Sequence, residues 1–431
     1  MRVLGGVVLP LLQRGVIVRR PLMTRLVDRL EADRKAVRLL QELRRRYGRG
    51  PLRLHTPGRR MVVVLSPEHV HRVLAGSPEP FHPATREKRA TLAHFEPAGV
   101  LISSTEDRPE RRRFNEAALD TDHAVHRGAD AMLGKINDEV DRLLADVDQR
   151  GGLVWEDYNR HWMRMVRRVT FGEGAADDEQ LTEDLLALRA AANWAFLHPE
   201  RRGRRARFLN RVQHHLDRAE PGTLAEWTAK APTTANTYPE HQVPQWLFAF
   251  DAANWASYRT LGLLASHPEH AGLARQDLAG RDLRRPQDLP YLRACVLESL
   301  RLWPTTPAVL RETTRGTQWE DGPIPENTSM LIYAPFFHRD DEHVDAAHRF
   351  EPDLWARERT EGDWPFIPFS AGPGICPGRN LVLHVTSTVI GRLLTERDLV
   401  LEDHLLDPRH PLPGTLNPFT LRFRTEPRPA P

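Results

Sequence analysis

Apolar residues recur at helical spacing along most of this chain, with two regions where they gather into short strand-like runs. From Arg25 to Tyr47 the pattern predicts a helix, with Leu26, Leu30, Val37, Leu40 and Leu43 on one broad face. PLRLHTP and MVVVLS then read as two strands parted by the turn signal Pro57-Gly58. SPEHVHRVLAG starts a new helix, with Ser66 as cap, Pro67 at the first helical position and Glu68 in the first turn. Between Phe81 and Ser104 no period holds. RPERRRFNEAALD returns to helix, and its near-consecutive Arg108, Arg111, Arg112 and Arg113 read most simply as a solvated face. Residues 130–240 are polar and arginine-rich helix, with a cluster at Arg201, Arg202, Arg204, Arg205 and Arg207.

Val243 to Ala265 is apolar almost all round, which predicts a long buried helix. Its single acid, Asp251, needs a partner or a task, and both readings stand open. ACVLESLR places Glu298 and Arg301 three apart on one helical face, a spacing common on helix surfaces. GPIPENTSMLIY has strand and turn character, and HRDDEHVDAAHRFEPDLW is an irregular path. LVLHVTSTVIGRLL predicts another buried helix, and LPGTLNPFTLRFR a terminal hairpin with its tip near Leu416 and Asn417.

Composition changes the picture little. The chain has 431 residues, 40% of them hydrophobic and 28% charged, and a net charge of +3, which is no nucleic-acid footprint. Lysine occurs only at Lys35, Lys88, Lys135 and Lys230; arginine-rich, lysine-poor usage is associated with GC-rich bacterial genomes. Two cysteines, Cys295 and Cys376, suit a reducing, cytoplasmic compartment. The apolar run Val3–Leu12 is too short to span a bilayer, so residues 1–24 read as a flexible leader or a peripheral membrane contact. No repeat, zinc spacing, nucleotide fingerprint or iron–sulfur cysteine set is present, and the histidine pairs in HPEH and HRDDEH read as surface residues.

The candidate chemistry lies in PFIPFSAGPGICPGRNL, where Gly372, Gly374 and Gly378 crowd around Cys376 just before a helix. Backbone N–H groups and the positive end of a helix dipole favour a thiolate there, and a thiolate is one axial ligand of haem iron. A structural or redox cysteine is the plainer reading of the loop alone. FSAGPGICPG, with Phe369, Gly372, Cys376 and Gly378 in register, resembles the haem-binding signature of the cytochrome P450 family.

That resemblance implies a mainly α fold with a smaller β-region, formed by one catalytic domain over 25–431. Haem b would be buried between a long central helix and the cysteine loop, with Cys376 on the iron. Glu298 and Arg301 match the family's structural ion-pair pin, and Arg349 the arginine that completes it. Arg111, with Arg112 next, and Arg311 match the arginines on the haem propionates. Asp251 and Ala252 stand where the family usually has an acid and a threonine that relay protons. Gly374 stands where it often has an arginine or histidine. Phe248, Ala249, Pro307, Val309 and Leu416 are expected to line the substrate pocket, with Lys88 and Asn254 among its polar contacts.

The implied function is dioxygen-dependent oxidation of a small organic molecule, as in bacterial natural-product tailoring, with ferredoxin and ferredoxin reductase supplying electrons. Because the threonine is replaced by Ala252, peroxide-driven or redox-neutral chemistry is the alternative. A non-catalytic haem sensor or carrier comes third.

Overall fold

The computed structural model describes residues 2–15, 17–56 and 58–428, without the side chains at 21, 22, 25 and 28. Pro57 of the expected turn and the side chain of Arg25 therefore lie outside the described residues. The helix expected over 25–47 divides in two, Pro21–Arg29 and Ala32–Tyr47. The break falls at Glu31, whose φ of 50° is left-handed and whose carboxylate accepts a hydrogen bond from the Gly414 N–H. Consequently Val37, Leu40 and Leu43 are buried while Leu26 and Leu30 are turned outward. A preceding helical segment, Leu4–Arg14, packs Val3, Val7 and Leu11 into the same core.

Five strands form the larger sheet: β1 (Leu52–Thr56), β2 (Arg59–Val63), β3 (Phe81–His82), β5 (Ala308–Thr313) and β6 (Thr328–Tyr333), ordered β1-β2-β6-β5-β3. Only the β2–β6 pairing is parallel. β4 (Gly152–Val154), β7 (Arg397–Leu401) and β8 (Arg422–Pro427) form a smaller antiparallel sheet ordered β4-β8-β7. The terminal hairpin expected around Leu416 is thus absent. β8 pairs with β7 and β4, and the stretch before it is a loop ending in a 3₁₀ turn, Pro418–Thr420, capped by Asn417.

The helix at Pro67–Ala75 starts as its sequence predicts, with Ser66 Oγ accepting from the His69 N–H at 3.2 Å. The central helix runs Pro239–Ser266 and buries most of its surface in the main helical core. Against it pack Pro290–Leu302, which carries Glu298 and Arg301, and Arg379–Glu396, which follows the cysteine loop. The stretch without a period, 81–104, contains a short helix at Arg86–Leu92, capped by Thr85, and a 3₁₀ turn at Val100–Ile102. The fold is mainly α with small sheets, as the sequence implied.

Candidate active site

Cys376 is half-buried at the end of its loop, immediately before the helix Arg379–Glu396. Its backbone N–H donates to the Phe369 carbonyl at 2.9 Å, closing the loop on itself. Burial raises the thiol's pKa, and the N–H groups of Gly378 and Arg379 with the charges of Arg112 and Arg379 oppose that rise. Gly372 is demanded by geometry: its φ is +62°, and a Cβ there would meet the Leu74 carbonyl oxygen at 2.4 Å; a Cβ on Gly374 would lie 2.8 Å from the Arg311 guanidinium, which would have to shift. The arginine or histidine expected near Gly374 is replaced in space by an arginine arriving from β5.

Behind the loop, Glu298 and Arg301 are both fully buried and paired through two contacts, Nη2–Oε1 at 2.6 Å and Nε–Oε2 at 2.7 Å. Arg301 also donates to the carbonyls of His338, Ala346 and Arg349. Arg349 does not complete the pin through its side chain, which is exposed; only its carbonyl takes part. Glu298 instead accepts from Trp355 Nε1 and the Glu351 N–H, each at 2.9 Å, so its oxygens are already served. Trp355 is the member that sequence reasoning missed.

Against the loop lies a wall of cations. Lys88 Nζ and Arg311 Nη1 both donate to the Leu310 carbonyl, Arg311 Nη2 donates to Ser370 Oγ, and Arg108 Nη1 to the Val100 carbonyl. Among the described residues no carboxylate pairs with any of the three. Burial pushes Arg311 and Arg108 down to about 10, helped by the charge of Arg108 on the first and of Arg112 on the second, and burial with the charges of Arg311 and Arg108 pushes Lys88 well below the usual lysine value. Arg311 Nε, His82 Nε2, Ser77 Oγ and Arg379 Nε are likewise buried without a partner.

The arginines of the helix Arg108–Ala118 divide between two faces. Arg111 turns to the Asn236 carbonyl, Ser103 Oγ and Asp107, away from this wall. Arg108 reaches the wall, and Arg112, one turn on, donates to the Ile375 carbonyl at 2.6 Å, next to Cys376. The register is therefore one residue later than the sequence suggested, with Arg108 four before Arg112.

On the central helix a stripe at helical spacing is only partly buried: Gln245, Phe248, Ala249, Ala252 and Trp255. Asp251 lies beside it, paired with Arg189 at 2.9 Å, and the Arg189 guanidinium sits 4.1 Å from the Phe248 ring centroid. The ion-pair reading of Asp251 is the one the geometry displays. Asn254 is fully buried against Asn159 at 2.8 Å, outside that stripe.

A family model described as Cytochrome P450 matches residues 249–415, which include the central-helix stripe, the pin and the cysteine loop. The chain carries a cytochrome P450 family domain. Cytochrome P450 52A4 of Candida maltosa is 35% identical over 144 residues, 30% of this chain and 26% of that protein. Probable cytochrome P450 4d20 of Drosophila melanogaster is 29% identical over 148 residues, 32% of this chain and 29% of that one. The chain thus spans less than a third of the length of these two curated relatives. Cytochrome P450 71D18 of Mentha gracilis matches more broadly, at 25% identity over 63% of this chain and 64% of its own. The crystal structure of a cytochrome P450 (CYP102L1) superposes with a TM-score of 0.73 over 91% of this chain and 94% of its own, at 19% identity, which shows the same fold.

The P450 family implies a haem, and the donor set suits one: a half-buried thiol and, beside its loop, buried cations with no carboxylate partner and the unpartnered Ser77 hydroxyl, fit for two carboxylates. Of the expected pocket residues, Pro307 and Leu416 border one small cavity of about 40 Å³ with Trp255 and Trp303. Val309 does not border this cavity; it is buried on the same face of β5 as Arg311, while Ala308 and Leu310 are partly open.

Proposed function

We propose that this P450 binds haem b, iron protoporphyrin IX, and oxidises a small organic molecule with dioxygen. The observation that supports this best is the set of buried, carboxylate-free cations Lys88, Arg108 and Arg311, together with the bare Gly374 against Arg311 and the thiol of Cys376. When bound, such a group supplies activation of dioxygen at a thiolate-ligated iron. Cys376 is the ligand in this reading. The N–H groups of Gly378 and Arg379 and the charge of Arg112 hold negative charge on its sulfur, and Phe369 packs beside the loop.

Arg311, Arg108 and Lys88, with Ser77 and His82, hold the two propionates, and guanidinium suits that task because it pairs bidentately with carboxylate. Ala249 and Ala252 keep the opposite wall low, and Phe248, Pro307 and Leu416 give the substrate an apolar surface. Glu298 and Arg301 position the loop. Electrons come from a ferredoxin and its reductase in this reading, since the chain has no flavin or iron–sulfur motif. Bacterial natural-product tailoring in the cytoplasm is the setting that its composition favours.

The reduced, carbon monoxide-bound spectrum tests ligation: wild type is expected to show the thiolate Soret band, and Cys376→His to shift it to the histidine position. A histidine-type band in the wild type would overturn the assignment. A second reading rests on the absence of any hydroxyl side chain between Gln245 and Ala256 and on the Arg189 pair of Asp251. It is peroxide-driven or redox-neutral turnover. Product formed with peroxide but not with ferredoxin and reductase would favour it. Absence of any substrate-induced spin shift would point to a carrier.

A further inference from the structure

Residues 98–103 carry no regular element except the 3₁₀ turn Val100–Ile102, yet side chains grip their main chain at nearly every step. The Ala98 N–H donates to His241 Nδ1 at 3.1 Å, the Ala98 carbonyl accepts from Gln242 Nε2 at 2.9 Å, and the Val100 N–H donates to Gln242 Oε1 at 2.9 Å. The Gly99 carbonyl accepts from Ser103 Oγ, which accepts in turn from Arg111 Nη1. His241 and Gln242 both stand near the start of the central helix Pro239–Ser266.

Gln242 is buried, and its amide has no spare capacity. Oε1 accepts a second time, from Asn115 Nδ2 at 3.3 Å, and Nε2 donates also to the Thr237 carbonyl at 2.9 Å. Turning the amide over would set its NH₂ against two donors and its oxygen against two carbonyls, so a single orientation is allowed. Asn115 lies in the helix Arg108–Ala118, and its Oδ1 accepts from Trp246 Nε1 at 2.6 Å, one turn along the central helix from Gln242. One oxygen of Gln242 therefore takes Val100 on one side and the helix that carries Arg108 on the other. It fixes the spacing between them.

That spacing matters for Arg108. Among the described residues its guanidinium has one hydrogen-bond partner, the Val100 carbonyl, at 2.9 Å. An arginine side chain has much rotamer freedom, so this one contact decides which way its other N–H groups point. The carbonyl stands where it does because the N–H of the same residue is held by Gln242. A polar relay thus runs from Gln242 Oε1 through Val100 to Arg108 Nη1, joining the central helix to the cationic wall. The charge of Arg108 bears on Arg311 and Lys88 in turn, so all three cations feel the position of one guanidinium.

We propose that Gln242 is a positioning residue for the haem, holding Arg108 against a propionate by fixing the backbone of Val100. Its amide is hydrogen-bonded to protein on all sides, so it acts on the cofactor only through that relay. The inference rests on the reading of Arg108 as a propionate ligand. The plainer role, glue at the start of the central helix, would lower stability without singling out Arg108.

The test is the rate of haem transfer from the holoenzyme to apomyoglobin for wild type, Arg108→Leu, Gln242→Leu and the double variant, with thermal unfolding followed in parallel. Each single substitution is expected to speed transfer about tenfold, the effect of a buried hydrogen bond lost. The double variant is expected to be no faster than Arg108→Leu alone, because the two residues act in series. Tyr258→Phe is the control: Tyr258 is buried on the same helix and its hydroxyl donates to the Leu421 carbonyl at 3.1 Å, away from the wall. It should lower the unfolding midpoint and leave haem transfer unchanged. Gln242→Asn, whose amide falls one methylene short of Val100, is the milder variant should the leucine not fold, and is expected to move transfer in the same direction. Unchanged transfer in the Gln242 variants with Arg108→Leu fast would overturn this proposal alone. So would additive effects in the double variant, or a Tyr258→Phe protein that loses haem as fast as Gln242→Leu. Unchanged transfer in Arg108→Leu would overturn the propionate role of Arg108, and this proposal with it.

Discussion

Replacing Glu298 by glutamine separates the pin seen in the structure from the three-member pin that the family pattern suggested. Glu298 accepts from Arg301 Nη2 at 2.6 Å, Arg301 Nε at 2.7 Å, Trp355 Nε1 at 2.9 Å and the Glu351 N–H at 2.9 Å. An amide has one acceptor oxygen in place of two, and its NH₂ would face a donor. More importantly, Arg301 would stay charged at zero exposure with no counter-charge. Removing one member of a buried pair costs about 3–5 kcal/mol for that reason. Unfolding entropy near 2 cal/mol/K per residue makes each kcal/mol worth roughly 1 °C in a chain of 431 residues, so the midpoint should fall ~3–5 °C.

Arg349→Ala is the contrast. Its side chain is exposed and its only contribution to the pin is a carbonyl that alanine retains, so the change should stay within about 0.5 kcal/mol. Neutralising both members, Glu298→Leu with Arg301→Met, should cost less than Glu298→Gln alone, because no lone charge is left inside. The assay is thermal unfolding by circular dichroism at one scan rate, with haem absorbance followed in parallel. An Arg349→Ala midpoint as low as that of Glu298→Gln, or a Glu298→Gln loss under 1 °C, would refute the reasoning.

Gly374→Ala should displace the Arg311 guanidinium, 2.8 Å from the added Cβ, and speed haem transfer to apomyoglobin several-fold, as Arg311→Leu should; an unchanged transfer rate would mean Arg311 holds no propionate. Ala252→Thr restores a hydroxyl to the partly open stripe and should raise the fraction of consumed NADH recovered as product, whereas unchanged coupling would remove the relay argument. Acid should destabilise the fold through His338, whose imidazole burial, aided by Arg301, depresses to about 3. The native state then refuses a proton that the unfolded chain takes below pH ~6.5, so stability is intact above that pH and falls by about 1.4 kcal/mol per unit as pH drops toward 3. His384, lowered to about 4 by burial and Arg293, acts in the same sense, and a melting midpoint flat from pH 7 to 4 would contradict both.

What the sequence revealed and what it hid follow from the range of the interactions. Ser66, the two strands around Gly58, the central helix and the Cys376 loop are set by neighbours a few residues apart, and each was legible. The break at Glu31 depends on a loop more than 380 residues away, through Gly414, so periodicity ran straight across it. Within the helix Arg108–Ala118 the sequence displayed a run of arginines without saying which one turns to the cysteine loop; a shift of one position rotates a helix by about 100° and exchanges Arg111 for Arg112. Arg349 lay at a plausible spacing, but Trp355 reached Glu298 first. The near-absence of lysine pointed further than the genomic association drawn from it: a chain that uses arginine almost everywhere places one of four lysines, Lys88, in the buried cationic wall.

The loop from Leu412 to Leu416 is gripped almost wholly by its main chain. Arg34 and Arg339 hold the Leu412 carbonyl, Arg339 and Trp303 the Pro413 carbonyl, and Arg259 the Leu416 carbonyl through two nitrogens. Carbonyls are the same whatever side chain they carry. The path of this loop is therefore set by Arg34, Arg259, Arg339 and Trp303 and does not depend on which side chain it carries at 415, while Leu416 is also held by the main core. A library confined to 415, at the cavity edge, would vary the wall of that cavity on a fixed frame.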